Sequence, residues 1–465
     1  MPFNGEFASK ISHFDIMKNP DIIEFLQSCP DVPRPSVQNI KDLIENEYHT
    51  SYFKTYKNAK MPKFVLSLDG SCYEVLADKD FPSRKLGYIK IGLVFLDVQR
   101  YDGIASNDKY KYIDPKQVAK LQDDISCLSF ALPGAYVQEK GDTSAFESFR
   151  KRLLKIFKSE QYKLGNYRLI DSLFELSLRI EKAELKNSRK NFKLDKCPNR
   201  NCGKNDKFEI EINDEYVICP YCKNKIFATD VLRVHEPFTN TGENQGTYSR
   251  VMNLLEHLVL FHYLNYIYNN DIKFLSELAV ILDGPLAIYG EGAKYHRALM
   301  MAYYEMQRKC VDSGYSEPII IGLVKTGRIV EHFLNMKNRL SQNVIFPIDD
   351  RYRYEFINEK DDSQDKHFGV ETYYGQDFFI KSSDHRQFVV CVLYPFSNKT
   401  EDFHNEKIKI SHYKNFDSIL ATIIKFETDM YQNGSVPVIL AHKHSSISLK
   451  PGGKMLDILS RKYFK

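Results

Sequence analysis

The sequence feature that most constrains the fold is an apolar run that ends on an aspartate. Residues 278–282 are apolar at every position, and Asp283 follows them with a Gly-Pro pair. A run of this kind is typical of a strand buried on both faces of a parallel or mixed sheet. The Asp-Gly-Pro sequence favours a turn, so the strand is predicted to end at Asp283. Open α/β sheets bind ligands at the carboxyl ends of such strands, which makes Asp283 a candidate site residue.

A second aspartate follows an apolar run much earlier in the chain. The pattern predicts a first strand over residues 63–76, with Asp69 near its centre or end, and a second strand over residues 88–98. The short link between them favours an antiparallel pair. Asp69 and Asp283 on neighbouring strand tips would form a divalent-metal site, whereas the simpler alternative is that Asp-Gly is a common turn dipeptide. Asp97 is a third nearby carboxylate, and a solvated aspartate at a strand edge is its simpler interpretation.

Size and charge limit the function classes. The chain of 465 residues is long enough for two or three domains, and its formal net charge is only +4. Any nucleic-acid surface must therefore be a local patch. The sequence has no apolar run of the length that a transmembrane helix needs, and its N-terminus lacks the features of a signal peptide. We expect a cytoplasmic protein that does not bind membranes.

Four of the nine cysteines form two close pairs. Cys197 and Cys202 precede Cys219 and Cys222, and a polar stretch that resembles a hairpin separates the pairs. This spacing is typical of a four-cysteine zinc ribbon. Four thiolates leave no position for water, so the Zn²⁺ would be structural. A redox disulfide pair is the competing interpretation, but the surrounding sequence is not thioredoxin-like.

The composition shifts along the chain predict four segments. An N-terminal helical arm covers residues 1–60 and includes helical apolar spacing over 37–44. Such an arm serves to dimerise or to dock a partner, or it caps the main domain. The main domain is split by two insertions, one helical and the other the zinc ribbon. The predicted boundaries are 61–113 and 247–465 for the main domain, 114–195 for the helical insertion and 196–230 for the ribbon.

Three further residues are candidates for the same site. Glu256 lies among leucines in a predicted helix, and a buried glutamate needs a cation or a lysine as its partner. Lys325 follows another buried strand, which a helix predicted over 295–312 connects to the Asp283 strand in a parallel βαβ unit. Its ammonium would hold a phosphate or neutralise the aspartates. His442 follows a short apolar run late in the chain.

The order of these elements predicts the fold class. An antiparallel opening, a helical excursion and then parallel strands with connecting helices give an α/β protein. The predicted architecture is an RNase H-like mixed sheet with flanking helices, an inserted helical segment and a four-cysteine zinc ribbon.

The same residues carry a resemblance to the NurA nuclease family. It covers about residues 60–104 and 247–460, and its specificity comes from the order of short motifs. These motifs are Asp69-Gly70-Ser71, Leu255-Glu256-His257-Leu258, Leu282-Asp283-Gly284-Pro285-Leu286, Val324-Lys325 and Ala441-His442.

The resemblance implies a DNA nuclease that depends on Mn²⁺ or Mg²⁺ and acts as a homodimer. It also implies a HerA-like hexameric ATPase as partner, in DNA end processing and repair or in phage defence. By the resemblance, Asp69 and Asp283 bind the metal, and Glu256 and His442 belong to the same site. From their chemistry, Glu256 would complete the cage or orient the attacking water, and His442 would bind a second ion or transfer a proton. Lys325 stabilises the phosphate, and Glu277 is the alternative to Glu256. The zinc ribbon is not part of the minimal family pattern.

Two other functions fit the sequence. One is a non-catalytic adaptor that uses an RNase H-like scaffold to connect DNA to another protein. The other is a nuclease that acts on RNA. Acids at strand tips favour catalysis over the adaptor, and only substrate competition separates DNA from RNA.

Overall fold

The structure, a computed structural model, describes residues 14–30, 51–103, 125–180, 191–203, 206–336, 338–358, 367–383, 386–428, 434–447 and 452–463. Its centre is an eight-stranded mixed sheet with the order β10-β11-β12-β9-β8-β1-β2-β3. The strands are β1 Phe64–Leu76, β2 Lys85–Asp97, β3 Ile125–Pro133, β4 Asn191–Leu194, β5 Phe208–Glu211, β6 Val217–Ile218, β7 Lys225–Ile226, β8 Leu278–Asp283, β9 Ile319–Val324, β10 Val344–Pro347, β11 Gly375–Lys381, β12 Gln387–Leu393, β13 Glu427–Thr428 and β14 Gly434–Ser435.

Helices cover both faces of this sheet. In chain order they are α1 Phe14–Lys18, α2 Pro20–Ser28, α3 Tyr52–Thr55, α4 Val98–Asp102, α5 Ala145–Phe157, α6 Leu169–Ile180, α7 Gln245–Asn270, α8 Ile272–Ser276, α9 Tyr295–Asp312, α10 Arg328–Asn335, α11 Asp350–Phe356, α12 Phe403–Glu406, α13 Phe416–Phe426, α14 Val436–Ser445 and α15 Gly452–Tyr463. The chain is therefore a mixed α/β protein.

The central strands β1, β8 and β9 run parallel to one another, and the outer pairs are antiparallel. The predicted antiparallel β1–β2 pair and the predicted βαβ unit from β8 through α9 to β9 are both present. The apolar run before Asp283 is buried at every position, because helices cover both faces there. Its strand ends at Asp283, as the Asp-Gly-Pro turn predicts.

Two main cores lie on opposite faces of the sheet. On the first face, α5, α6, α7 and α9 pack with residues such as Leu68 and Leu282. On the second face, α13 and α14 pack with residues such as Val65 and Ile281. Successive residues of a strand point to opposite faces, so this division assigns a face to each position of β1 and β8.

The predicted helical segment 114–195 also contains a strand. The structure places Ile125–Pro133 in the central sheet, antiparallel to β2, and α5 and α6 follow it. Leu128, Phe130 and Leu132 are buried, while their neighbours Cys127 and Ser129 are exposed. This alternation with a period of two is typical of a strand with one buried face, and the charged helical sequence around it obscured the signal.

The late apolar run that carries His442 is a helix. Pro437 lies in the first turn of α14, where its missing N–H costs no helical hydrogen bond. The apolar side chains of α14 pack on the second face of the sheet, with Val438 and Ala441 fully buried. His442 therefore lies on a helix over the second face of the sheet and not at the end of a strand.

The N-terminal segment is helical where it is described. The short helix α3 packs on α13, with the rings of Tyr52 and Phe416 5.3 Å apart. The helical spacing predicted over 37–44 lies outside the described residues. Within the described ranges, no helix combines the length and the apolar character needed to cross a membrane.

Candidate metal centre

Asp69 and Asp283 lie side by side on adjacent parallel strands. The register between β1 and β8 pairs Leu68 with Leu282, and each aspartate is the next residue of its strand. Leu68 and Leu282 point into the core of the first face, so the alternation of side chains directs both aspartates to the second face. The strand β1 continues past Asp69 to Leu76, whereas β8 stops at Asp283. The two carboxylates thus meet at the end of β8.

Helix α14 lies over Asp69. His442 Nδ1 is 2.8 Å from Asp69 Oδ2, and Ser445 Oγ donates a hydrogen bond of 2.7 Å to the same oxygen. Gly92 is the β2 partner of Asp69, and a Cβ atom there would lie 3.1 Å from Ser445 N and 3.2 Å from Ala441 O. The glycine therefore lets α14 approach the sheet closely. The His442 side chain is 57% exposed, so the group is open to solvent on this side.

Lys325 neutralises part of the negative charge. It follows β9, and its Nζ is 2.7 Å from Asp283 Oδ2. Burial raises the pKa of the Asp283 carboxyl, and the negative charge of Asp69 adds to this shift, while Lys325 opposes it. The ion pair of Lys325 is with Asp283, so the two neighbouring carboxylates keep an excess of negative charge that a divalent cation fits electrostatically.

Glu256 approaches the same place from the opposite face. It lies on α7, and a Cβ atom on Gly70 would be only 2.6 Å from Glu256 Oε1. The absence of a side chain at Gly70 therefore gives the carboxyl its space. Burial, with the charge of Asp69 next, holds the pKa of Glu256 well above its usual value, although the backbone of Gly70 hydrogen bonds to the carboxyl.

Asp69, Asp283 and His442 form a group with the chemistry of a cation site. One ligand atom from each lies within 4.8 Å of the others. Carboxylate oxygens suit Mg²⁺ and Mn²⁺, and imidazole binds transition ions. Glu256 is outside this group of three but close enough to interact electrostatically with both aspartates. The donor set therefore fits a divalent ion that accepts oxygen and nitrogen ligands.

Two carboxylates considered from the sequence lie elsewhere. Glu277 precedes β8, and its Oε1 is 2.7 Å from Lys63 Nζ at the opposite end of the strands from Asp283. Asp97 ends β2 and caps α4, where its side chain accepts hydrogen bonds from two backbone N–H groups. Neither belongs to the group around Asp69.

The four cysteines form a second candidate metal centre. Their Sγ atoms lie within 4.8 Å of one another, and the Cys197–Cys222 and Cys202–Cys219 pairs are 3.7 and 3.8 Å apart. Four sulfurs bound tetrahedrally at ~2.3 Å from Zn²⁺ would be about 3.8 Å apart. The two short hairpins β4–β5 and β6–β7 hold the cysteines. The geometry thus fits a four-thiolate zinc site.

Ser445 and Gly92 are site residues that the sequence did not indicate. Ser445 follows His442 by three residues, which places both on one side of a helix. That spacing indicates that Ser445 belongs to the site only once the run is known to be helical. Gly92 is informative only through its pairing with Asp69 in the sheet.

The fold and the two centres define a mixed α/β protein with an Asp/Asp/His group that could hold a metal ion and a four-cysteine cluster. The sequence matches no family model. It matches no curated protein either.

The solved structures that are similar to this chain include two of NurA. One is the NurA nuclease from Sulfolobus solfataricus, which is 9% identical, with 98% of this chain and 97% of that chain covered and a TM-score of 0.31. The other is a structure of NurA, which is 12% identical, with 97% of each chain covered and a TM-score of 0.26.

Proposed function

We propose that this chain is a metal-dependent nuclease that hydrolyses phosphodiester bonds in DNA. The observation that carries the proposal is the meeting of Asp69 and Asp283 at the end of β8 with the imidazole of His442 beside them. Two carboxylates side by side at a strand end raise the cost of burying their negative charge, and Lys325 pairs with only one of them in this group, so a divalent cation would stabilise the pair.

The residues have distinct proposed roles. Asp69 and Asp283 bind Mn²⁺ or Mg²⁺, which in such sites activates water and stabilises charge on the phosphate and the leaving oxygen. Glu256 completes the cage or orients the attacking water. His442, whose ring is half-exposed, completes the ligand set or moves a proton between the site and solvent.

Lys325 is proposed to act on the substrate phosphate. In the structure its ammonium neutralises Asp283. When the carboxylates are neutralised in another way, the ammonium becomes available to a phosphate oxygen at the same strand end.

The finer assignment follows the resemblance in the sequence. The order of the aspartate, glutamate, lysine and histidine motifs supports an RNase H-like nuclease of the NurA type. We accordingly propose that the chain forms a homodimer and has a HerA-like hexameric ATPase as its partner. The proposed role is DNA end processing or phage defence. The four-cysteine cluster is proposed to bind structural Zn²⁺.

The test is cleavage of end-labelled single-stranded and duplex DNA with Mn²⁺ or Mg²⁺, with and without a HerA-like ATPase. We expect the wild type to cleave, and Asp69→Asn and Asp283→Asn to lose activity by at least about 10³-fold. Asp97→Asn is the matched control, because this carboxylate lies at the other end of the strands and only caps α4. A wild type as inert as the two variants under every condition would favour the adaptor, and preferential cleavage of competing RNA would change the substrate.

A further inference from the structure

The Asp69 carboxylate is held by one of its two oxygens. Oδ2 lies 2.8 Å from His442 Nδ1 and accepts the 2.7 Å hydrogen bond of Ser445. The other oxygen, Oδ1, has neither partner. A carboxylate has several lone pairs, and two contacts on one oxygen leave the other available to a cation.

Ser445 is fully buried, so its hydroxyl must find its partner within the protein. It has one hydrogen and two acceptors in reach, namely Asp69 Oδ2 at 2.7 Å and the His442 carbonyl at 3.1 Å. The shorter contact is to the charged group, and hydrogen bonds to charged acceptors are the stronger ones. The Ser445 hydroxyl therefore donates its hydrogen bond to Asp69 Oδ2 rather than to the His442 carbonyl of its own helix.

The packing of α14 on β2 fixes this contact. Gly92 pairs with Asp69 in the sheet, and the backbone of α14 at Ala441 and Ser445 passes within 3.1–3.2 Å of the position where a Cβ atom would stand. A helix that approaches so closely has little freedom to move relative to the strand. Ser445 thus presents its hydroxyl to Asp69 from a rigid element.

We propose that Ser445 is a positioning residue, which together with His442 fixes the orientation of the Asp69 carboxylate so that Oδ1 points to the cation shared with Asp283. This inference deepens the proposed function and rests on it. The terminal torsion of an aspartate is broad, so without Ser445 the plane of the carboxylate takes a wider range of orientations, most of which direct neither oxygen at the cation. The cation then loses affinity although no ligand is removed.

The experiment is an Mn²⁺ titration of the zinc-loaded full chain, with free Mn²⁺ followed by electron paramagnetic resonance. Removal of a group that orients a metal ligand typically weakens metal binding by about 10- to 100-fold. We expect Ser445→Ala to raise the Kd for Mn²⁺ by that factor. Cleavage should fall at limiting Mn²⁺ and recover at saturating Mn²⁺, because the ligands themselves remain.

Ser460→Ala is the matched control. Ser460 is also buried and lies near Tyr88 on β2, but its hydroxyl donates to the Leu456 carbonyl of its own helix and does not contact Asp69. The Kd of the Ser460→Ala variant for Mn²⁺ should equal that of the wild type. If Ser445→Ala fails to fold, Ser445→Cys keeps a weak donor of similar size and should show an intermediate Kd.

An unchanged Kd in folded Ser445→Ala overturns the inference, as does an equal loss in Ser460→Ala. The binding readout also separates this inference from the proposed function. A wild type that binds Mn²⁺ through Asp69 and needs Ser445 for it, but cleaves no nucleic acid, supports the positioning role and contradicts the nuclease. A wild type that does not bind Mn²⁺ contradicts both.

Discussion

Asp69 and Asp283 are each the first residue beyond the Leu68–Leu282 pair, on two strands that run side by side in the same direction. More than two hundred residues separate them in the sequence. Because the two parallel strands pair in register, the aspartates occupy equivalent positions along the strand direction and point to the same face of the sheet. The strand β8 ends there because Gly284 takes a φ of +115°, which favours glycine, and a proline follows. The carboxylates therefore meet where one strand stops and the other continues.

Lys325 should be more important to the protein without metal than to the protein with metal. Its ammonium pairs with the largely buried Asp283 carboxylate, and Lys325→Met would leave that charge uncompensated. We expect a loss of about 1–2 kcal/mol in the free energy of unfolding in EDTA, and a smaller loss with saturating Mn²⁺. Urea denaturation in both buffers measures the difference. An equal loss in both would contradict the idea that a cation neutralises Asp283.

Glu256→Gln should lower activity without lowering stability. Burial and the Asp69 charge hold the pKa of the Glu256 carboxyl well above its usual value, so ionising this group costs free energy in the folded state. A neutral glutamine avoids this cost. We expect an equal or higher melting temperature in EDTA, together with a fall of about 10²- to 10⁴-fold in cleavage rate. A clear drop in melting temperature with full activity would show that Glu256 is only a structural residue.

The four-cysteine cluster should bind one Zn²⁺ and depend on it for local folding. The strands β6 and β7 are only two residues long, so the hairpin that they form has little core of its own. Cys219→Ser, which removes a fully buried thiol, should lose the zinc and make residues 191–228 sensitive to protease. The exposed Cys127 provides the control variant Cys127→Ser. Metal analysis and limited proteolysis report both effects, and protease resistance in zinc-free Cys219→Ser would argue against a structural ion.

Buried histidines should make the fold sensitive to acid. His332 packs between aromatic rings and Tyr352, and burial lowers its pKa from 6.5 to about 4. The unfolded chain therefore binds more protons between pH 6.5 and about 4, and stability falls as pH falls through this window. His332→Phe removes one titrating group and should reduce the slope of unfolding free energy by up to about 1.4 kcal/mol per pH unit.

The measurement is chemical denaturation at several pH values from 4.5 to 7. His235, whose pKa is also lowered to about 4 by burial, keeps some acid sensitivity in the variant. An unchanged slope in His332→Phe would mean that this histidine has the same pKa in the folded protein as in the unfolded chain.

The sequence predicted the centre of the fold better than its edges. The apolar run before Asp283 is unbroken because helices cover both faces, and such a run carries its own signal. The edge strand Ile125–Pro133 buries one face only, and its weaker alternation was lost among charged helices. Ser445 and Gly92 are part of the site only because α14 packs on β2. That packing joins distant parts of the chain, so no local sequence pattern predicts it.

The most direct test of the account is whether Asp69 and Asp283 hold the same ion. Mn²⁺ binding to the zinc-loaded protein should be measured for Asp69→Asn, Asp283→Asn and the double variant. A shared ion predicts that each single change weakens the site by at least about tenfold and that the double variant loses no further site, because ligands of one ion act together. Strong Mn²⁺ binding that survives in either single variant, or losses that correspond to two independent ions, would contradict it.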